Sequence, residues 1–493
     1  MTSVSPELQE STNELRPGLE HGNTAASVLT SHGRPKTVLM IDYYFPPLGG
    51  AGVQRTPGFV RYLTPFGWQP IVMTVHSGDS YFYDPSLVDT IPEGIDVQRT
   101  LSFEPLRAAR RFLTRPSTAS MRQGPGLHQR TSSLGRSIRR LRGLEHWLFF
   151  PDRHVGWTPF AIGRALRINQ RVPIDLVYST STAITSHVIA YAIKKILGTP
   201  WVADFQDGWA ERPGFAKRLF PSPLHASMAR RLEGLILRSA DRVVVTAEPL
   251  RETFECRSKE VPPGKVTVIP MGYDPADFDR APGVQRRKFT FTHFGHFYAA
   301  RSPVPFLEAL GQCVQAHPEL GKDLDVLFLG TFDSVLRDLA LGAMDRWGLR
   351  DIVHLEGAVS YEAGVRILKS SDVLVIIGDP GEWHRTAVPT KLYEYFAAGK
   401  PILALLPEGP AADILRAAGA GSLVPPHDIG AIRDTIWDFY RLGRDGRLEL
   451  RASQEVTERY AWPKLTGRLA AVFDDVLLAR GSAMAQGRTN LVR

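Results

Sequence analysis

Lys36-Thr-Val-Leu-Met-Ile-Asp-Tyr-Tyr-Phe-Pro-Pro-Leu-Gly-Gly-Ala-Gly-Val-Gln-Arg55 begins as an apolar run and breaks into a turn rich in Pro and Gly. A short run with no polar alternation predicts a strand covered on both faces, the habit of parallel sheets. Comparable runs follow at Pro70–Val75, Ile174–Tyr178, Pro200–Asp204 and Arg242–Thr246. Helical stretches separate the later ones, among them Ala183–Leu197 and Leu224–Ser239. A second series runs through Phe289–Phe294, Asp325–Gly330, Ile352–Glu356, Asp372–Ile377 and Pro401–Leu406. Strands alternating with crossover helices give an α/β chain with doubly wound parallel sheets. Two such series, joined near Pro270–Arg287, predict two Rossmann-like domains facing each other.

The 493-residue length allows two or three ordinary domains with substantial cores. Composition excludes a fibrous or disulfide-stapled protein, at 43% hydrophobic and 22% charged with two cysteines, Cys256 and Cys313. These form no C-x-x-C pair and no zinc spacing, so no metal is expected. No run is long and apolar enough to span a membrane, and no secretory signal opens the chain. A cytoplasmic location follows as the expectation, with residues 1–35 and 481–493 as disordered tails.

The formal charge of +8 is concentrated. Arg107 to Arg142 holds ten arginines and no Asp or Glu, which leaves the remainder close to neutral. Leu134, Ile138, Leu141, Leu144 and Leu148 share helical spacing beside these arginines. Two readings stay open: an interfacial helix at an anionic membrane surface, or a solvated helix after a disordered insert. Nucleic acid is disfavoured, because no recognition motif accompanies the charge.

Ligands of open parallel sheets sit beyond the carboxyl ends of the strands, and four loops there hold suitable residues. In the first, Gly49, Gly50 and Gly52 let backbone N–H groups approach an anion, although a plain tight turn would look the same. The following Pro57-Gly58 predicts a helix that kinks or starts late. The second, Val202–Trp209, carries Asp204 and Asp207, either acceptors for sugar hydroxyls or turn formers. In the third, Gly295–Pro303, Arg301 suits a phosphate or is a surface arginine. The fourth, Gly378–Pro401, feeds a helix with Leu392, Tyr395, Phe396 and Gly399 on one face and Glu394 on the other. Its start at Thr390-Lys391 offers N–H groups to a diphosphate, and Glu394 offers a carboxylate to a ribose or merely favours the helix dipole.

Together these loops resemble the family 4 glycosyltransferases of GT-B fold, in particular the bacterial branch of exopolysaccharide and lipopolysaccharide assembly. The resemblance covers roughly residues 37–480. It rests on YYFPPLGGAGVQR at 43–55, STSTAITSHVIA at 179–190, PWVADFQDGW at 200–209, VIPMGYDPADF at 268–278 and VPTKLYEYFAAGKPIL at 388–403. It implies an acceptor domain over 36–275 with an arginine-rich insert at 106–142, and a donor domain over 276–460. A helix over 461–480 would cross back to the first domain.

The resemblance also implies a retaining transfer from a nucleoside-diphosphate sugar, UDP- or GDP-linked, without metal or other cofactor. Glu394 would hold the donor ribose, Thr390, Lys391 and Leu392 would give backbone donors to the diphosphate, and Gly49 and Gly50 would close over it. Arg301 would neutralise the leaving group, with His296 beside it in place of a second phosphate cation; Asp204, Asp207 and Arg301 are the catalytic candidates. The acceptor would be a glycan or a lipid-linked molecule. A peripheral place at the inner face of the plasma membrane rests on the arginine segment Arg107–Arg142 and is one of its two open readings. Departures from the family pattern are Thr386 where many relatives carry the first Glu of a Glu-x7-Glu pair, Gln206 in place of a histidine, and Pro270-Met-Gly272 in place of Pro-Asn-Gly. The competing activities are a sugar-nucleotide epimerase or hydrolase on the same scaffold, and a non-catalytic nucleotide-sugar-binding subunit.

Overall fold

Lys36–Ile41 is a strand, β1, with every residue buried. Its side chains divide with a period of two: Leu39 and Ile41 enter the core on one face, Val38 and Met40 the core on the other. A computed structural model of the chain describes residues 34–49, 52–76, 82–105, 147–181, 183–210, 220, 222–257, 261–284, 286–298, 301–378, 381, 387–450 and 452–491. The arginine-rich insert, most of the N-terminal tail, Gly50 and Thr386 lie outside these residues.

The first sheet adds β2 (Trp68–Val75), β3 (Asp96–Thr100), β4 (Leu176–Thr180), β5 (Trp201–Phe205), β6 (Arg242–Val245) and β7 (Val266–Val268). All its pairings are parallel, in the order β3-β2-β1-β4-β5-β6-β7. The second holds β8 (Phe289–Phe294), β9 (Leu324–Leu329), β10 (Val353–Gly357), β11 (Val373–Ile377), β12 (Ile402–Leu405) and β13 (Gly421–Val424). It is also parallel, ordered β10-β9-β8-β11-β12-β13. Its faces divide likewise, with Val373, Val375 and Ile377 in one core and Leu374 and Ile376 in the other. Two doubly wound parallel sheets, each covered on both faces, make a GT-B architecture. Three strands that the apolar runs did not announce, β3, β7 and β13, are all at sheet edges.

The helix after β1 corrects one expectation. It runs from Arg55 to Tyr62 without a late start, because Pro57 falls in its first turn, where a missing N–H costs nothing. Gly58 serves packing: a Cβ there would lie 2.4 Å from the ring of Trp462.

Trp462 begins the last helix, Trp462–Leu491. Its Trp462, Leu465, Leu469, Phe473 and Val476 bury one stripe against the first sheet. The Phe473 ring lies 5.2 Å from Trp68, and the Lys36 ammonium pairs with Asp474. The helix continues through 481–491, where a disordered tail was expected. Once nucleated, each added residue brings one hydrogen bond, and no proline interrupts this stretch. Where the chain re-enters the first domain it meets its earlier crossing. The Tyr273 N–H donates to the Tyr460 carbonyl (3.1 Å) and the Trp462 N–H to the Tyr273 carbonyl (2.9 Å).

Candidate functional site

The carboxyl edges of β8 and β11, with the helix Lys391–Ala398, assemble the candidate residues of the second domain. Gly295 follows β8 directly at φ +151°, a conformation that disfavours side chains. Next, the His296 Nδ1 accepts hydrogen bonds from the Thr331 N–H (3.1 Å) and its hydroxyl (2.8 Å). An accepting Nδ1 carries no proton, and burial together with Lys391 and Arg301 lowers the ring's pKa further. His296 is therefore a neutral Nε2–H donor and adds no charge where the family pattern has a second cation.

Arg301 is largely buried, and its guanidinium covers the Tyr298 ring at 4.8 Å. Thr390 precedes the helix and makes no side-chain cap. The Leu392 N–H already donates to the Pro389 carbonyl (3.0 Å), which removes it from the expected diphosphate donors. A tightened first turn uses that group internally. Among the described residues, the N–H groups of Thr390 and Lys391 meet no backbone acceptor. Glu394, partly exposed in the same turn, is pushed up to about 7 by burial, with Asp277 adding to the shift and Lys391 opposing it.

The first domain contributes differently. Asp204 was a candidate acceptor for sugar hydroxyls, and the structure overturns that role. It is fully buried, and Arg55 donates to its two oxygens at 2.5 and 2.9 Å. The Tyr178 hydroxyl donates to it as well. Accepting three hydrogen bonds and fully buried, this carboxylate is closed to a ligand. Arg55 also donates to the carbonyls of Ile269 and Pro270 (2.9 Å each), tying the first helix to the segment leaving the domain. Asp207 is half-buried in the turn beyond β5. Gln206 donates from Nε2 to the Thr180 hydroxyl (3.0 Å) and the Gly52 carbonyl (3.3 Å), bracing the glycine loop. Gly49 is buried in a two-residue ribbon with Phe82, so its backbone is already part of a sheet.

Near the same edge, the Tyr43 hydroxyl (2.5 Å) and the Ser102 hydroxyl (2.8 Å) donate to Glu104. Burial alone would raise the Glu104 carboxyl, but His154, Tyr43 and Ser102 hold it down to about 2. The two domains meet through polar contacts. Arg61 pairs with Asp274 and Asp277, and the Tyr361 N–H donates to Asp84 (3.0 Å). A cavity of about 450 Å³ lies at the opposite, amino-terminal edge of the second sheet, lined by Arg286, Lys288, Asp325 and Arg366 among others. Its charge is partly answered within the protein, by Lys288–Asp325 (3.1 Å) and Arg366–Glu362.

Residues 50–272 match a family described as "Glycosyl transferase 4-like domain", and residues 288–441 match "Glycosyl transferases group 1". The chain belongs to the family 4 glycosyltransferases. Among solved structures the enzyme is similar to sucrose-phosphate synthase of Thermosynechococcus elongatus, at 14% identity and TM-score 0.58, over 90% of this chain and all of that one. A Rickettsia africae glycosyltransferase matches at 13% and 0.58, covering 90% and 98%. Anabaena HepE, solved with UDP and glucose, matches at 14% and 0.57, covering 89% and 99%. At these identities the likeness establishes the GT-B fold. No curated protein matches the glycosyltransferase by sequence.

Sequence reasoning missed Arg55. Its signal was an arginine at the start of a helix that carries Phe59 and Val60 and is followed by Leu63, all apolar. An arginine bound for a core needs a buried carboxylate, and Asp42 and Asp204 each end an apolar run; the fold pairs Arg55 with Asp204.

Proposed function

We propose that this glycosyltransferase moves a sugar, with retention and without a bound metal, from a UDP- or GDP-sugar to a glycan or lipid-linked acceptor of cell-surface polysaccharide assembly. The observation that carries the reading is the grouping of Arg301, the Lys391 N–H and Glu394 at the carboxyl edge of the second sheet. A helix start and a guanidinium suit a diphosphate, and a carboxylate beside them suits paired ribose hydroxyls. HepE, solved with UDP-glucose, supports a nucleotide-sugar donor. In the reaction the bond from the sugar C1 to the diphosphate oxygen breaks, and its electron pair stays on that oxygen. The acceptor oxygen bonds to C1 on the same face, and its proton passes to the departing phosphate. Arg301 lowers the barrier by stabilising negative charge as it builds on the leaving group.

The arginine segment 107–142 supports a place at an anionic membrane surface on the cytoplasmic side. Among the described residues no helix is long and apolar enough to cross a membrane. Cosedimentation with phosphatidylglycerol vesicles at low salt tests this; a chain that stays in the supernatant removes the membrane half.

A donor screen tests the chemistry. The chain and its Glu394→Ala variant are incubated with UDP- and GDP-sugars, with and without a bacterial lipid extract. Nucleotide release that needs both the extract and Glu394 is the expected result, and the anomeric configuration of the product reads retention directly. Binding without release under every condition would replace the transferase with a nucleotide-sugar-binding subunit.

A further inference from the structure

The Lys391 side chain leaves the first turn of its helix and reaches the carboxyl end of β8. It passes against Gly295, where a Cβ would stand 2.5 Å from Nζ and 3.0 Å from Cε. Nζ ends 3.0 Å from the His293 Nε2, and the His293 Nδ1 lies 2.9 Å from the Val375 carbonyl oxygen. A carbonyl only accepts, so Nδ1 carries the ring proton and Nε2 presents a lone pair to the lysine. An ammonium has three donors, and His293 takes one. Among the described residues no carboxylate comes within ion-pair distance of Nζ. Lys391 is electrostatically close to both His296 and Arg301 of the β8 loop, and the N–H groups of Thr390 and Lys391 open the same helix.

We propose that the Lys391 ammonium is the second diphosphate cation of the donor site, filling the place that the neutral His296 leaves vacant. The proposal rests on the nucleotide-sugar reading above and adds a side-chain role to a residue so far credited with a backbone contact. Gly295, held at φ +151°, leaves the space beside the end of β8 that Nζ occupies. Burial and then Arg301 push the lysine well below its usual pKa, against the opposing pull of Glu394. His293 and His296 face the same space and are themselves kept neutral, chiefly by burial. An arriving diphosphate supplies the counter-charge that this environment lacks.

Calorimetry of the full chain with UDP, GDP and the parent nucleosides tests the assignment. Lys391→Met should weaken diphosphate binding by about 10- to 100-fold, the range of a charge-assisted hydrogen bond, and leave nucleoside binding within about threefold. Equal loss for diphosphate and nucleoside, or no loss for either, would overturn the proposal and leave Lys391 a support for the β8 loop. If the wild-type chain binds neither diphosphate, the nucleotide-sugar reading fails along with it. A second measurement needs no variant: acetic anhydride labelling of Lys391, read by mass spectrometry. Protection by the diphosphate and not by the nucleoside is expected; labelling unchanged by either overturns the assignment.

Discussion

Arg55 and Lys391 hold the same position in two different domains. Each is the first residue of an eight-residue helix, and each is buried. A cation there opposes the helix dipole, so each needs another reason to be present. For Arg55 the reason is internal: Asp204 takes two of its hydrogen bonds and backbone carbonyls take two more. For Lys391 a neutral imidazole takes the hydrogen bond. Among the described residues no carboxylate is within ion-pair distance, Glu394 acting only from farther off. The first domain spends its buried charge on architecture, while the second leaves a charge to be completed from outside. Burial alone does not separate these roles; the presence of a matching carboxylate does.

The comparison breaks most readily at the Arg55–Asp204 pair. Asp204→Asn strands a buried guanidinium and should cost about 3–5 kcal/mol, measured by urea unfolding. Pairing Arg55→Met with Asp204→Leu should restore only part of that stability. It removes both charges but leaves the Tyr178 hydroxyl and the Ile269 and Pro270 carbonyls without these partners. A cost for Asp204→Asn below about 1 kcal/mol would mean that the pair is not the anchor the geometry describes.

Gly58→Ala forces a methyl into the Trp462 ring and should destabilise by about 1–3 kcal/mol, as overpacked cores do. Lys391→Met should move the other way from Asp204→Asn. It removes a buried cation without a carboxylate partner, so the melting temperature should hold or rise slightly while diphosphate affinity falls.

The smallest effect is a pH dependence at Glu394. Its folded pKa, about 7, stands above the ordinary 4.5, so the folded state holds the proton more tightly. Stability should therefore fall as pH rises from about 4.5 to 7, and Glu394→Gln should remove that loss. Allowing for partial solvent access, the variant should gain on the order of 1 kcal/mol at pH 8 and nothing at pH 4, by differential scanning calorimetry.

What the amino-acid pattern reveals follows from burial. Interior strands such as Phe289–Phe294 and Val373–Ile377 are covered on both faces and read as continuous apolar runs. Edge strands have one flank open, and Asp96-Val-Gln-Arg-Thr100 carries residues that no apolar run would announce. The site divides in a similar way. Glu394, Lys391 and Arg301 are legible because each lies in a loop or helix start beyond a strand, where this fold places ligands. The duty of Asp204 is not, because its partner Arg55 is 149 residues away and only the folded chain brings them together. The His296 tautomer is equally hidden, being set by Thr331 on the neighbouring strand's loop.

The paired crossings at Tyr273 and Tyr460–Trp462 carry a mechanical consequence. Two covalent straps run side by side between the lobes, buttoned together by a pair of backbone hydrogen bonds. A single strap would let the lobes swivel in any direction, whereas two fastened in parallel resist twisting and leave bending about one axis as the easy motion. Any relative movement of the lobes would then be confined to one arc, bringing the same residues of each lobe opposite one another.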